Sequence, residues 1–313
     1  MPELQQTLTQ EAREHLGPDA SVEGLVALAG GASRELYGFD VITGAERLEL
    51  VLRRDPPGLE DREARAREFA VLRAAHDGGV PVPAPRWLTA DGTGIVMQRV
   101  DGEAIARRLL RDDRYATARE RLVDEVARAA AAVHALEPPP EVAPATGPPA
   151  LAAIEALEEQ LDHLGEPHPA LELGLRWVRE HLPAEREPTL VHGDLRLGNL
   201  MVDEGGLVAV LDWEQCHAGD GAEDLGWMCL RSWRFGADEH PALGVGTREA
   251  LLEAYAAAAG REVTLEELRF WEVLGSVRWG VICVIQAQRA TLEHYAIGRR
   301  ACEPEWDLLG LIA

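Results

Sequence analysis

The chain contains no lysine: all 31 basic residues among its 313 are arginine. That excludes mechanisms built on a Schiff-base lysine, a lysine general base or the lysine of a Walker-type phosphate loop. Positive charge is scarce altogether, with 31 basic residues against 54 acidic ones and a formal net charge of −23. A nucleic-acid partner is not expected, because no basic stripe is there to neutralise phosphates. Cysteine is sparse as well. Cys216, Cys229, Cys283 and Cys302 form no CxxC pair, which argues against a zinc knuckle or redox dithiol and predicts four buried, reduced thiols. Long apolar runs are missing. The best one near the end, Val281-Ile282-Cys283-Val284-Ile285, is far below the ~18 residues that a membrane span needs. The opening MPELQQTLTQEAREH has no basic stretch followed by an apolar one, so no secretory signal is visible. The expectation is a soluble, cytoplasmic protein without membrane contact.

What is present divides the chain unevenly. Residues 21–54 read as strand-rich, with one strand over 36–41, a turn at Thr43-Gly44 and a second strand over 47–53. A helix is predicted from about Glu60 to His76, and a short strand at Gly94-Ile95-Val96-Met97. From Asp101 the texture is helical and alanine-rich. The proline-dense stretch from Pro138 to Pro149 is flanked by helical segments, so it reads as a loop within a helical lobe rather than a boundary. Helices follow over 150–182 and 222–313, with a strand pair between them at 190–212. The division is a small strand-rich N-terminal lobe, residues 1–100, and a larger helical lobe, residues 101–313. The fold class is α+β.

The strand pair carries the chemistry. The runs 200–202 and 207–211 are apolar and β-prone, and Asp203-Glu204-Gly205-Gly206 makes a four-residue hairpin loop. With Val202 opposite Leu207, Asn199 would face Val210, placing Asp212 two positions further on, a diagonal of ~7–8 Å. Both side chains offer oxygen, which suits a hard cation such as magnesium rather than zinc. Asp194, on the entering loop, is brought to the same open end. One such residue at a strand end is usually a turn cap; three converging on one hairpin, behind His192-Gly193, point to a site.

The pattern HGDLRLGN followed by LDWE resembles the HxDxxxxN motif and its acidic partner in the aminoglycoside phosphotransferases, with choline kinase and homoserine kinase among their relatives. The resemblance covers nearly the whole chain and implies a protein-kinase-like bilobal fold. VLRRDPPG at 51–58, LDWE at 211–214 and Gly298-Arg299-Arg300 are closer still to a bacterial branch also found fused to certain acyl-CoA dehydrogenases. What the resemblance implies is an ATP- and magnesium-dependent transfer to a hydroxyl of a small molecule. Asp194 would be the catalytic base, and Asn199 and Asp212 would hold the magnesium. His192 would pack behind the loop, and Glu214 would assist the metal or hold the turn. Gly31 and Ser33, in GGASR, occupy the place of the phosphate-covering loop. The backbone C=O of Gln98 and N–H of Val100 would read the adenine edge.

Kinase-like folds place a lysine on the third strand, paired with a glutamate on the next helix. Here the position is Arg53. On the helix, Arg65, Glu68, Phe69, Leu72 and His76 share one face, so Glu68 points inward and needs a partner, and Arg53 is the natural one. Gly193 stands where protein kinases carry the arginine of HRD, and no APE-like segment follows Glu214, which favours a small acceptor over a peptide. A nucleotide-binding pseudokinase that senses ATP without transferring phosphate stays open. The acceptor (aminoglycoside-like, amino alcohol or hydroxyacyl), the nucleotide preference and the oligomeric state are left open by the sequence.

Overall fold

A computed structural model describes residues 1–313 except 29–33, 45, 145–146 and 289–291. Helix α1 (Pro2–Leu16) precedes five strands, β1 (Ser21–Ala27), β2 (Glu35–Thr43), β3 (Glu46–Arg54), β4 (Pro85–Leu88) and β5 (Gly94–Gln98), with α2 (Arg62–Asp77) between β3 and β4. The strands form an antiparallel sheet in the order β1-β2-β3-β5-β4. Alternation along β2 and β3 sends Phe39, Val41, Leu50 and Leu52 to one face, where they pack with Trp87, Val96 and, from α1, Leu8 and Ala12. Neither α1 nor β4 is anticipated by the sequence pattern. The amphipathic signal of α1 is interrupted by the buried Glu11, which accepts hydrogen bonds from Trp87 Nε1 (3.0 Å) and from the Ala90 amide (2.9 Å).

The helical lobe comprises α3 (Ala106–Arg111), α4 (Ala116–His134), α5 (Pro149–Leu164), α6 (Pro169–Glu180), α7 (Ala222–Cys229), α8 (Arg248–Ala259), α9 (Leu265–Ala287), α10 (Leu292–Gly298) and α11 (Cys302–Ile312). Two small antiparallel pairs are set into it: β6 (Thr189–Val191) with β9 (His217–Gly219), and β7 (Leu200–Val202) with β8 (Leu207–Val210). Local signals set the helix starts. Asp61 caps α2 by accepting from the Ala64 amide at 2.9 Å, and Thr264 with Glu267 forms a capping box on α9. The proline-rich segment runs as a connection between α4 and α5. The two lobes share packing as well as sequence: Val71, Leu72 and Ala75 of α2 belong to the same continuous apolar core as Ala127, Leu190, Leu200 and Trp213. The fold is α+β and bilobal, with the cleft between sheet and helices. Among the cysteines, Cys216, Cys229 and Cys283 are buried, whereas Cys302, at the start of α11, is exposed, against the expectation that all four would be buried.

Candidate active site

Strand β6 delivers His192-Gly193-Asp194 into the cleft, and the geometry of this loop is set from behind. Asp224, in the first turn of α7 and fully buried, accepts the His192 amide at 2.8 Å and the Gly193 amide at 2.9 Å. The ring of His134 completes its coordination at 3.1 Å and reaches Tyr255 Oη at 2.9 Å on its other side. Burial works against charge on Asp224, but the contacts with His134 and the His192 amide outweigh it and hold the carboxyl below its usual range. Asp224 thus supports the loop from behind. His192 is itself buried and occupied at both nitrogens. Nδ1 accepts the Asp194 amide at 3.2 Å, so Nε2 is the protonated nitrogen and donates to Leu211 O at 3.0 Å. Gly193 has φ 79°, and a Cβ there would run into the backbone oxygen of Gln215. Glycine is required at that corner on both counts.

The hairpin register differs from the expected one. Leu200 pairs with Val210 and Met201 with Ala209, while Val202 does pair with Leu207, because a bulge intervenes between Met201 and Val202 and leaves Val208 as the extra residue. Leu211 N donates to Asn199 O at 2.8 Å, so Asp212 lies one position past the residue bonded to Asn199, not two. Asp212 turns out of the strand in a left-handed conformation, φ 64° and ψ 68°, which is uncommon for a residue with a Cβ and is concentrated at functional corners.

Asp194 is surrounded by donors. Its Oδ1 accepts from Arg196 Nε (2.9 Å) and Trp227 Nε1 (2.7 Å), and Oδ2 from Asn199 Nδ2 (2.6 Å). Asn199 Nδ2 also reaches Asp194 O at 2.9 Å, which leaves its Oδ1 as the oxygen available on the other side of the amide. Asn199 is the only asparagine in the chain.

On the sheet side, Arg53 and Glu68 form an ion pair, and Arg53 Nη1 also donates to Asp212 Oδ1 at 2.9 Å. Burial opposes the charge on Arg53, but Glu68 and then Asp212 more than offset it, so its pKa is raised further. Arg34 links Asp55 (3.0 Å) to Glu214 (3.0 Å). Glu214 is pushed above the usual carboxyl range by burial and by the neighbouring charge of Asp212. Between these groups lies a cavity of about 620 Å³. Leu36 and Val51 face it from the sheet and Met201 and Leu211 from the hairpin, with Gln98 and Val100 at the strand-to-linker edge. Glu103 ties that linker to the hairpin through paired backbone bonds with Val202 (2.8 and 3.1 Å). Gly31 and Ser33 lie outside the described residues.

Among the described residues no three His, Cys, Asp or Glu side chains are grouped to hold a metal ion. Asn199 Oδ1 and the Asp212 carboxylate instead offer two hard oxygens beside the cavity. That donor set fits magnesium, which commonly takes one or two protein oxygens and fills its octahedron with water and substrate phosphates.

Residues 24–271 match the phosphotransferase enzyme family, and the chain belongs to that family. It is 28% identical over 240 residues to acyl-CoA dehydrogenase family member 10 of Mus musculus, covering 67% of this chain and 21% of that protein. With acyl-CoA dehydrogenase family member 11 of Homo sapiens it shares 26% over 301 residues, 84% of this chain and 36% of that one. The chain therefore spans only about a fifth to a third of these relatives. Among solved structures, the macrolide 2'-phosphotransferase MphH from Brachybacterium faecium superposes with a TM-score of 0.64 at 20% identity, covering 95% of this chain and 98% of that one. Aminoglycoside phosphotransferase APH(4)-Ia, in a ternary complex with AMP-PNP and hygromycin B, gives 0.63 at 15% identity, covering 98% and 97%. The fold is that of the kinase-like phosphotransferases. No helix among the described residues is long and apolar enough to cross a membrane.

Several contacts around the cleft carry no sequence signal: His134 and Tyr255 behind Asp224, the Trp227 indole on Asp194, and the Arg34–Asp55 pair on the sheet side. The contact of Trp227 with Asp194 depends on how α7 docks.

Proposed function

We propose that the protein is an ATP- and magnesium-dependent phosphotransferase acting on a hydroxyl of a small molecule. The observation that carries this reading is the setting of Asp194. A carboxylate has about four lone-pair sites, and three are filled by Arg196, Trp227 and Asn199. The remaining one, on Oδ2, is the seat for a substrate hydroxyl, whose proton Asp194 takes as the phosphoryl group moves. The adenine would lie between the apolar side chains of sheet and hairpin, with Gln98 and Val100 reading its edge through the backbone. Gly31 and Ser33 would cover the phosphates. Arg53, anchored by Glu68, would bind phosphate oxygens through its planar fork. Asn199 and Asp212 would hold magnesium, which when bound neutralises charge on the phosphates. Glu214 supports that turn through Arg34, and His192 is structural. Little covalent work falls to the protein, since positioning and electrostatics carry the reaction.

For the acceptor we favour a hydroxylated molecule with a substantial apolar part. Beyond the Trp227 ring lies a cavity of about 430 Å³ walled by Ala152, Leu157, Trp271 and Leu274. Its one acidic side chain, Glu223, is already paired with His217 (3.1 Å) and Arg278 (3.0 Å). A polycationic aminoglycoside would find no free carboxylate there, whereas a hydroxyacyl chain would find apolar walls. A screen of magnesium–ATP turnover over aminoglycosides, amino alcohols and hydroxyacyl thioesters tests this. Phosphorylation confined to aminoglycosides would refute the acceptor choice. Absence of transfer across the panel, with magnesium-dependent ATP binding intact, would replace the enzyme with the second reading, a nucleotide sensor. The absence of lysine motivates that alternative.

A further inference from the structure

Arg65 does not line the nucleotide cavity, yet its side chain is only 2% exposed while carrying a full charge. Such burial is costly unless the guanidinium is paired on more than one side. Arg65 has two partners. It forms an ion pair with Glu68 Oε2, one helical turn along α2, and its Nε faces Asp55 Oδ1 at 3.3 Å. Asp55, at the end of the third strand's run and with its side chain wholly buried, is held in turn by the Asp61 amide on Oδ2 at 2.9 Å. Together with Arg34, these residues form a chain of alternating charge: Asp212, Arg53, Glu68, Arg65, Asp55, Arg34 and Glu214, beginning and ending on the same turn.

Geometry makes one member of that chain decisive for nucleotide binding. A guanidinium facing an isolated carboxylate settles into a bidentate pair, two parallel N–H···O bonds. If Arg53 did so with Glu68, two of its nitrogens would be consumed and the fork drawn away from the cleft. Because Arg65 occupies Oε2, Arg53 holds Glu68 only through Nη2 on Oε1, and its Nη1 stays at the cleft, against Asp212. An ammonium has no fork and would need no such device.

Resting on the nucleotide-binding reading above, we infer that Arg65, fixed by Asp55, is a positioning residue that lets an arginine serve at the lysine position, by blocking the bidentate Arg53–Glu68 pair and keeping one arm of Arg53 at the cleft, on Asp212, where a phosphate oxygen can take it over. The inference predicts a specific non-additivity. The charge-balanced double variant Asp55→Asn/Arg65→Met removes the block, and Arg53 then folds onto Glu68. Replacing Arg53 by lysine costs affinity in the native background but restores it in the double variant, because lysine cannot form the collapsed pair.

The test is equilibrium binding of magnesium–AMP-PNP to the full chain, with thermal melting as the check on folding. The double variant should bind about tenfold more weakly than the native protein, a coupling in the range seen for contacting residues. Adding Arg53→Lys to it should recover most of that loss. Where the double variant melts too low to measure, Arg65→Lys, which keeps the charge but cannot bridge Glu68 and Asp55 together, is crossed with Arg53→Lys in the same way. Native-like affinity in the double variant, or an Arg53→Lys cost equal in both backgrounds, overturns the inference while leaving the nucleotide reading intact. A native protein that binds no magnesium–AMP-PNP overturns that reading, and this inference with it.

Discussion

The two walls of the cleft hold their functional side chains by different physics. On the helical side, the loop carrying Asp194 is fixed mainly by buried contacts, Asp224 on two amides, His192 between two backbone groups and Trp227 on the carboxylate, with one partly exposed ion pair, Arg196 on Asp194 Oδ1. Across the cleft, Arg53 and Arg34 of the sheet side are tied to Asp212 and Glu214 of the hairpin turn by ion pairs whose side chains remain 15–34% exposed. The first arrangement is preorganised and has no reason to change when substrate arrives. The second is made of charges that a phosphate or a cation can replace one for one, and water already screens them in part. Chemistry is assigned to the rigid wall and ligand capture to the exchangeable one.

Variants separate the two walls, the largest effects coming from the rigid one. Asp194→Ala should cut phosphoryl transfer by about 10²–10⁴-fold, the usual worth of a positioned base, while magnesium–AMP-PNP binding stays as in the native protein. Weakened nucleotide binding of the same size would mean that the walls are not separable. Asp224→Ala leaves two amides and His134 without their acceptor, and chemical denaturation should register a loss of about 3–5 kcal/mol. An unchanged midpoint would remove the claim that the loop is held from behind. Arg53→Ala should weaken ATP binding strongly and Arg53→Lys less so, both more visibly at low salt than at high. Unaltered ATP kinetics in Arg53→Ala would sink the phosphate-anchor assignment. Gly193→Ala should cost about 1–3 kcal/mol of stability from its left-handed backbone alone.

The smallest effect concerns pH. Glu223, then the Gln215 carbonyl, outweigh burial and raise the pKa of His217 to about 9. Since this lies above the ~6.5 of an unfolded histidine, the pair contributes its stability fully below about pH 6.5 and loses it as pH rises through about 9. His217→Gln should flatten the fall of melting temperature across that window. A fall as steep as in the native protein would show that other groups cause it.

Much of this was legible in the sequence because it depends on short-range order. The five-residue spacing of Asp194 and Asn199, the hairpin loop at 203–206 and the helical spacing that turns Glu68 inward are local facts, and the structure brings Asp194, Asn199 and Asp212 to one end of one hairpin. The exact register was not legible, because a bulge at Val208 leaves no mark in an apolar run of valine and alanine. Also hidden was everything requiring a distant partner: Trp227 lies 33 residues from Asp194, Asp224 lies 31 from Gly193, and His134 lies 90 from Asp224. The pairing of Arg65 with Asp55 and Glu68 was hidden for a subtler reason. Helical periodicity places Arg65 on the inward face, but only the packed structure reveals two carboxylates waiting for it. One compositional signal went further than its spacing: in a chain without lysine, Asn199 is the sole asparagine, and it stands within hydrogen-bond reach of Asp194.

The central claim is that the rigid wall transfers a phosphoryl group and the exchangeable wall only captures the nucleotide. Its most direct test is a single-turnover measurement with γ-labelled ATP, magnesium and the acceptor panel, on native protein and Asp194→Asn at matched nucleotide occupancy. The account predicts label on an acceptor hydroxyl with the native protein and none with Asp194→Asn, although both bind nucleotide equally. Equal transfer by the two proteins, or none by the native protein at full occupancy, would contradict it.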